Sequence, residues 1–296
     1  MDRKPEWLRI RSIKDSNISY VEEIVKSLNL NTVCLEANCP NYSDCFSRKT
    51  ATFMILGKNC TRNCSFCNVR HDTPQLVNHD EPEKIAHAVK KLGLRYLVIT
   101  SVTRDDLPDG GAEHFAQVIY AMRKHSPETA VEVLIPDFNG NENSLKIVAD
   151  AVPHVISHNM ETVSALYDVV RPQAKYQRSL ELLKNIKLLN PKIHSKSGIM
   201  LGMGETKEQV SKIFNDLREV NCEFITIGQY LSPSCEHYPV HEYITPRQFE
   251  EYGAEAKAKG FAFVASAPLV RSSYNACEAL DISHNNSPAT PRPKSS

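Results

Sequence analysis

Seven short runs rich in apolar and β-branched residues recur along the chain. They are TFMILG at 52–57, RYLVITS at 95–101, AVEVLIP at 130–136, HVISHN at 154–159, HSKSGIML at 194–201, CEFITIG at 222–228 and FAFVAS at 261–266. Turn-forming residues bound each run, so each predicts a strand. Between several of them the apolar spacing becomes helical, and amphipathic helices are predicted over 82–92, 177–189 and 206–220. Pro82 suits the first turn of its helix, and Thr206 followed by Gln209 makes a capping box. Strands alternating with helices predict a parallel sheet built from right-handed βα units. About six such units fit, fewer than the eight of a closed barrel. The pattern leaves a doubly wound sheet and an incomplete barrel both open, and in either one ligands sit at the carboxyl ends of the strands.

The two ends differ from this middle. Residues 1–48 predict no strand and hold Cys34, Cys39 and Cys45. The last stretch, DISHNNSPATPRPKSS, is rich in Ser, Pro and Asn and reads as a disordered tail.

Composition narrows the function classes. Thirty-five basic and 35 acidic side chains among 296 residues give a formal charge of zero, which argues against a basic field for nucleic acid or an anionic membrane. With 41% apolar and 24% charged residues the chain is an ordinary globular one, long enough to bury a core without disulfides. No apolar window is long enough for a membrane-spanning helix. The opening MDRKPEWLRIRSIKD lacks the apolar stretch of a secretory signal, so a reducing cytoplasm is expected.

The nine cysteines change the picture, because six of them lie between Cys34 and Cys67. In such a compartment clustered thiols point to metal or redox chemistry rather than a disulfide framework. Cys60, Cys64 and Cys67 follow the first predicted strand with the spacing C-x3-C-x2-C. Three readings fit that spacing: one face of a helix, a zinc site completed by His71, or an iron–sulfur cluster. The polar neighbours Lys58, Asn59, Arg62, Asn63 and Asn68 belong to a loop, and soft thiolates favour the cluster. A cube of four irons normally takes four thiolates, so three leave one iron open, as in a catalytic site. Cys34, Cys39 and Cys45, spaced C-x4-C-x5-C, read by themselves as a zinc site, a second cluster or unligated thiols.

The 60/64/67 spacing, with Phe66 before the last cysteine, resembles the signature of the radical S-adenosylmethionine (SAM) superfamily. There the open iron binds the methionine amino and carboxylate groups, and reductive cleavage yields a 5′-deoxyadenosyl radical. The two triplets together resemble the lipoyl synthase family. The resemblance runs from about residue 4 to about 280, through RKPEWLRI, TATFMILG, TSVTRDDLPDGGA, SHNMETV, VVRPQAKYQRSLELL, KSGIMLGMGET and IGQYLSPS. It implies an α/β fold, an incomplete (β/α)6-type parallel barrel. Residues 49–266 would form the barrel, 1–48 the auxiliary-cluster segment, and 267–296 a C-terminal segment covering that cluster. In that family the upstream triplet ligates an auxiliary [4Fe–4S] cluster, and a serine of an Arg-Ser-Ser-Tyr motif is the fourth ligand. Here the motif is Arg271–Tyr274, and the matching serine is Ser273. Taken alone a serine reads as a helix cap. As a hard ligand for iron it would be displaceable, which suits a cluster that is consumed.

The resemblance further implies SAM contacts from Gly110, Gly111, Asn159 and Glu161, and pairing of Arg171 with the methionine carboxylate. Gly198, Gly202 and Gly204 would let backbone approach the adenine, or would form a strand-to-helix turn. Two sulfurs would be inserted at C6 and C8 of an octanoyl group on a lysine of a lipoyl carrier domain. Implied partners are 2-oxoacid dehydrogenase E2 subunits, the glycine cleavage H protein, and an electron donor such as ferredoxin or flavodoxin. One departure stands at Cys235, where the family usually has Lys or Arg. Cys222 reads as core; Cys277, four residues past Ser273, could in principle compete as a ligand but is not among the expected ones. The rival readings are a biotin-synthase-like sulfur-inserting enzyme, a zinc-stabilised binding protein and a catalytically dead relative.

Overall fold

The computed structural model describes residues 4–9 and 13–280; the proposed tail, 281–296, lies outside them. Near the N-terminus α1 (Ser16–Ser27) is capped by Asp15, whose carboxylate accepts the Asn17 amide. It leads to β1 (Asn31–Thr32), α2 (Val33–Glu36) and α3 (Tyr42–Ser47). β2 (Thr52–Ile55) follows, then a two-stranded ladder of β3 (Asn59–Cys60) and β4 (Arg70–His71). From there helix and strand alternate: α4 (Glu81–Leu92), β5 (Tyr96–Ser101), α5 (Ala112–His125), β6 (Ala130–Leu134), α6 (Glu142–Asp150) and β7 (Val155–Ser157). The second half holds α7 (Tyr167–Val170), α8 (Tyr176–Leu189), β8 (His194–Leu201), α9 (Lys207–Glu219), β9 (Phe224–Gln229), α10 (Pro246–Ala258) and β10 (Phe263–Ser266).

All seven expected strands form, and local chemistry explains the helix ends. Pro82 sits in the first turn of α4, and Gly93, at φ +67°, closes its last. The Thr206–Gln209 box caps α9, and a second box, Thr245–Gln248, caps α10. Asn31 and Thr32 pair antiparallel with Met54 and Phe53, so residues 1–48 do contain a strand. Its two residues carry no periodic signal, since the pairing comes from β2.

The sheet order is β1-β2-β5-β6-β7-β8-β9-β10, with every pair after the first parallel. That order settles the alternative the pattern left open. A doubly wound sheet reverses its strand order at a switch point, whereas here the order is sequential, as in a barrel. Among the described residues neither β1 nor β10 pairs further, so the barrel is incomplete. Between helices and sheet lies a core including Ile85, Val89, Phe115, Leu183, Phe214 and Phe249, each at most 1% exposed. None of the helices among the described residues is long and apolar enough to cross a membrane.

The segment 267–280 spans the open side. Ala267 donates its amide to Ile227 and Pro268 accepts from Gln229, which anchors the segment on β9. Asn41 Nδ2 donates to the Leu269 carbonyl at 2.7 Å, and the Tyr274 hydroxyl to Asp44 at 3.1 Å, which ties it to the N-terminal segment. Its last residues, Ala279 and Leu280, pack on Val155, Phe224 and Phe263.

Candidate active site

A cavity of about 600 Å³ is lined from the carboxyl ends of the strands and from the loops beyond them, and Cys60, Cys64 and Cys67 are on its wall. They arrive there through a forced turn. Leu56 (φ +67°) and Gly57 (φ +93°) swing the chain out of β2. The loop is then held by main-chain bonds from Thr61 N to Thr103 O and from Ser65 N to Val170 O. The cysteines are not on a helix, so the helix-face reading fails. Cys60 Sγ accepts amides from Arg62 at 3.4 Å and Thr103 at 3.3 Å, and Cys67 Sγ accepts Val69 N at 3.4 Å. Such amides lie where they stabilise thiolate charge. Burial pushes the Cys67 thiol up to about 12, with Cys64 and Cys60 adding repulsion against the Val69 amide. Burial also raises Cys64, opposed by the Arg171 charge. Three soft thiols on one cavity wall, two of them met by backbone amides, make a donor set that fits an iron–sulfur cluster. His71 is exposed and donates through Nδ1 to the Cys60 carbonyl.

The upstream triplet is brought together by α2 and α3. Cys34 is buried in α2, Cys45 is half-buried in α3, and Cys39, between them, donates its amide to the Cys34 carbonyl. Burial pushes Cys34 up to about 12 and Cys45 up to about 11, and repulsion from Cys39 contributes to both. Burial also raises Cys39, while the Asn41 amide and the Arg271 charge lower it. Arg271–Tyr274, more than 200 residues away in sequence, meets this triplet. The Arg271 charge acts on Cys39, and Tyr274 interacts with Cys45 and lies under the Arg48 guanidinium, 5.5 Å from its ring centre. Ser273 sits between them, lines the cavity with Cys39, and has no hydrogen-bond partner for its hydroxyl among the described residues. Cys277 instead acts on Tyr96, at the amino end of β5, and so lies away from the triplet. Cys222 is fully buried and Cys235 is exposed.

Asn159, Glu161, Arg171 and Gly198 all line the cavity. Asn159 Nδ2 donates to Glu161 at 3.0 Å and to the Ser272 hydroxyl at 2.9 Å, while its Oδ1 is buried without a partner. Arg171 Nη1 is spent on the Asn159 and Met160 carbonyls and the Tyr167 hydroxyl, which leaves its buried Nε unpartnered. Burial raises Glu161, and Arg171 opposes it. A Cβ on Gly198 would stand 2.7 Å from Thr226 Oγ1 and 2.9 Å from Asn159 Oδ1, so this glycine keeps the wall open. Orphaned polar atoms around a roomy cavity are what a bound amino acid or nucleoside would complete.

Gly110 and Gly111 are not on this cavity. Gly110 borders a separate cavity of about 390 Å³, and Gly111, at φ +90°, starts α5 against Leu56. The part of this region lining the large cavity is Ser101–Thr103, at the carboxyl end of β5, where ligand contacts are expected. Gly202 and Gly204, at φ +95° and +103°, form the turn after β8, where Glu205 accepts the amides of Gly202 and Met203. The turn reading therefore holds for these two glycines.

Fold and cavity define a class: the Radical SAM superfamily matches residues 54–217. That class carries a [4Fe–4S] cluster and SAM. The particular family follows from whole-chain comparison: the chain is 56% identical over 279 residues to the lipoyl synthase of Alkaliphilus metalliredigens (94% of this chain, 96% of the relative), and belongs to the lipoyl synthase family. The lipoyl synthase of Caldicellulosiruptor saccharolyticus is 57% identical over 280 residues (95% and 98%). Among solved structures, HydG, a maturase of the [FeFe]-hydrogenase, superposes with a TM-score of 0.56 at 13% identity, covering 90% of this chain and 68% of that one. Streptococcus suis SuiB bound to S-adenosylmethionine gives 0.56 at 13% identity, covering 75% of this chain and about half, 54%, of that one. These two likenesses concern the fold alone. The biotin-synthase-like and zinc-binding alternatives are not favoured.

Proposed function

We propose that the chain inserts two sulfur atoms, at C6 and C8, into an octanoyl group carried on a lysine of a lipoyl carrier domain. The observation carrying this reading is the shared cavity: Cys60, Cys64 and Cys67 line it together with Cys39 and Ser273. Cys60, Cys64 and Cys67 hold the cluster at which SAM binds; Cys34, Cys39, Cys45 and Ser273 hold an auxiliary cluster. When bound, the two clusters and SAM supply the electron, the carbon-centred radical chemistry and the sulfur. The chain's own task is placement. Asn159, Glu161 and Arg171 orient the methionine moiety, with Arg171 held rigid by two carbonyls. Gly110 and Gly111 serve the scaffold, and Ser101–Thr103 takes the ligand-facing place expected of them. The apolar side chains Met54, Phe66, Val69 and Met200 exclude water from the reacting carbon. The N-terminal segment 1–48, the barrel 49–266 and the C-terminal segment 267–296 divide the labour. Carrier domains of 2-oxoacid dehydrogenase E2 subunits and of the glycine cleavage H protein are the substrates, ferredoxin or flavodoxin is the reductant, and the cytoplasm is the compartment.

A pair of substitutions tests the division. Cys39→Ala is expected to keep SAM cleavage and abolish lipoyl formation on an octanoylated peptide; Cys64→Ala is expected to abolish both. Lipoyl formation at the normal rate in Cys39→Ala would overturn the auxiliary assignment.

A further inference from the structure

Arg62 lies midway between Cys60 and Cys64, yet its side chain is only 4% exposed. An arginine in a ligand loop would ordinarily reach for water; this one is turned inward and gripped. Its Nε donates to Asp105 Oδ2 at 2.6 Å and its Nη2 to Asp105 Oδ1 at 2.8 Å, a two-pronged pair. Nη2 also lies 2.7 Å from Asp137, whose side chain is wholly buried, and 2.9 Å from Asn139 Oδ1. Asn139 ties the group together by donating from Nδ2 to Asp105 at 2.9 Å, while Arg178 donates to Asp137 at 3.1 Å. The turn presenting these acceptors is strained: Phe138, Asn139 and Gly140 stand in succession at φ +46°, +53° and +81°. Such a turn persists only where its surroundings over-determine it. Asp105, in turn, donates its amide to Thr61 Oγ1 at 3.1 Å, so the loops after β5 and β6 both close on the cysteine loop.

We propose, on the reading that Cys60, Cys64 and Cys67 hold the radical-generating cluster, that Arg62 is a positioning residue: clamped by Asp105 and Asp137, it fixes the Cys60–Cys64 span and sets the charge beside the cluster. Two arginines and two aspartates balance in this group. Loss of Arg62 leaves an excess negative charge near the cluster and lowers its reduction potential; loss of the Asp137 charge does the opposite. A residue that merely packed the loop would give no such opposition.

The test uses full-length protein reconstituted anaerobically, with the SAM-responsive cluster followed by electron paramagnetic resonance during a redox titration and its loss to a chelator timed. Arg62→Met should lower the midpoint potential and speed cluster loss about tenfold. Asp137→Asn should raise the potential. Arg62→Lys keeps the charge and loses the fork, so it should hold the wild-type potential while still losing its cluster faster, and it serves if Arg62→Met does not fold. Variants that match the wild type in both readouts, or that shift the potential in one common direction, overturn the assignment. A wild-type chain that takes up no SAM-responsive cluster overturns the radical-enzyme reading itself, and the role of Arg62 with it.

Discussion

The two ends of the barrel interior handle buried polarity in opposite ways. At the amino ends of the strands, Lys196, fully buried on β8, donates to Glu132 Oε1 and Oε2 at 2.8 and 3.0 Å, and the Tyr96 hydroxyl donates to Glu132 at 2.6 Å. Burial and the Glu132 charge hold the Tyr96 hydroxyl protonated, and Ala279 and Leu280 pack close by. Every group in that triad is satisfied. At the carboxyl ends, Ser101 Oγ, Asn159 Oδ1 and Arg171 Nε are buried without partners, and Cys39 lines the same cavity as Cys60, Cys64 and Cys67. A buried polar group without a partner destabilises a fold, so one end serves stability and the other is left incomplete for its ligands.

The largest expected effect falls at the satisfied end. Lys196→Met strands the Glu132 carboxylate and should cost about 3–5 kcal/mol of stability in denaturant unfolding; adding Glu132→Leu should recover most of it. Failure of that recovery would break the comparison, because the triad would then owe its effect to packing. Next comes pH. His158 is fully buried, donates from Nδ1 to the Ile135 carbonyl and accepts from the Ser179 hydroxyl, in a chain running through Tyr167 to Arg171. Burial, helped by the Arg171 charge, lowers it from 6.5 to about 4. The unfolded chain therefore binds this proton more readily. The contribution of His158 is complete above pH 6.5 and shrinks by up to about 3 kcal/mol as pH falls from there to 4. Unfolding of His158→Gln across that range should be flatter. Gly111→Ala is expected to cost about 1–3 kcal/mol through its positive φ, with SAM affinity unchanged; weakened SAM binding with intact stability would return the glycine pair to the ligand. Smallest in stability is Asn159→Ala at the incomplete end, within about 1 kcal/mol, although SAM affinity by calorimetry should fall at least about tenfold.

Some of this was legible in the sequence and some was not. Strand positions, the α4 and α9 helix starts and both cysteine triplets are local signals, and each appears where period, cap or spacing puts it. The sheet order was not legible, because periodicity says which residues face a core and not which strands pair. The meeting of Arg271–Tyr274 with Cys39 and Cys45 has no local signature either and came from family resemblance. Glycine at 110 and 111 is an ambiguous signal for a physical reason: positive φ at both, with Gly111 packed against Leu56, demands glycine as surely as a ligand does. Arg62 was passed over as a polar loop residue, since only the folded chain brings Asp105 and Asp137 to it.

Two clusters in one cavity are the centre of the account, and a count tests them most directly: iron and acid-labile sulfide per chain in protein reconstituted anaerobically. Two cubes require about eight of each. About eight, falling to about four in Cys39→Ala, is the predicted result. About four in the unaltered chain, with no change in Cys39→Ala, would contradict the auxiliary cluster and remove Ser273 from its role.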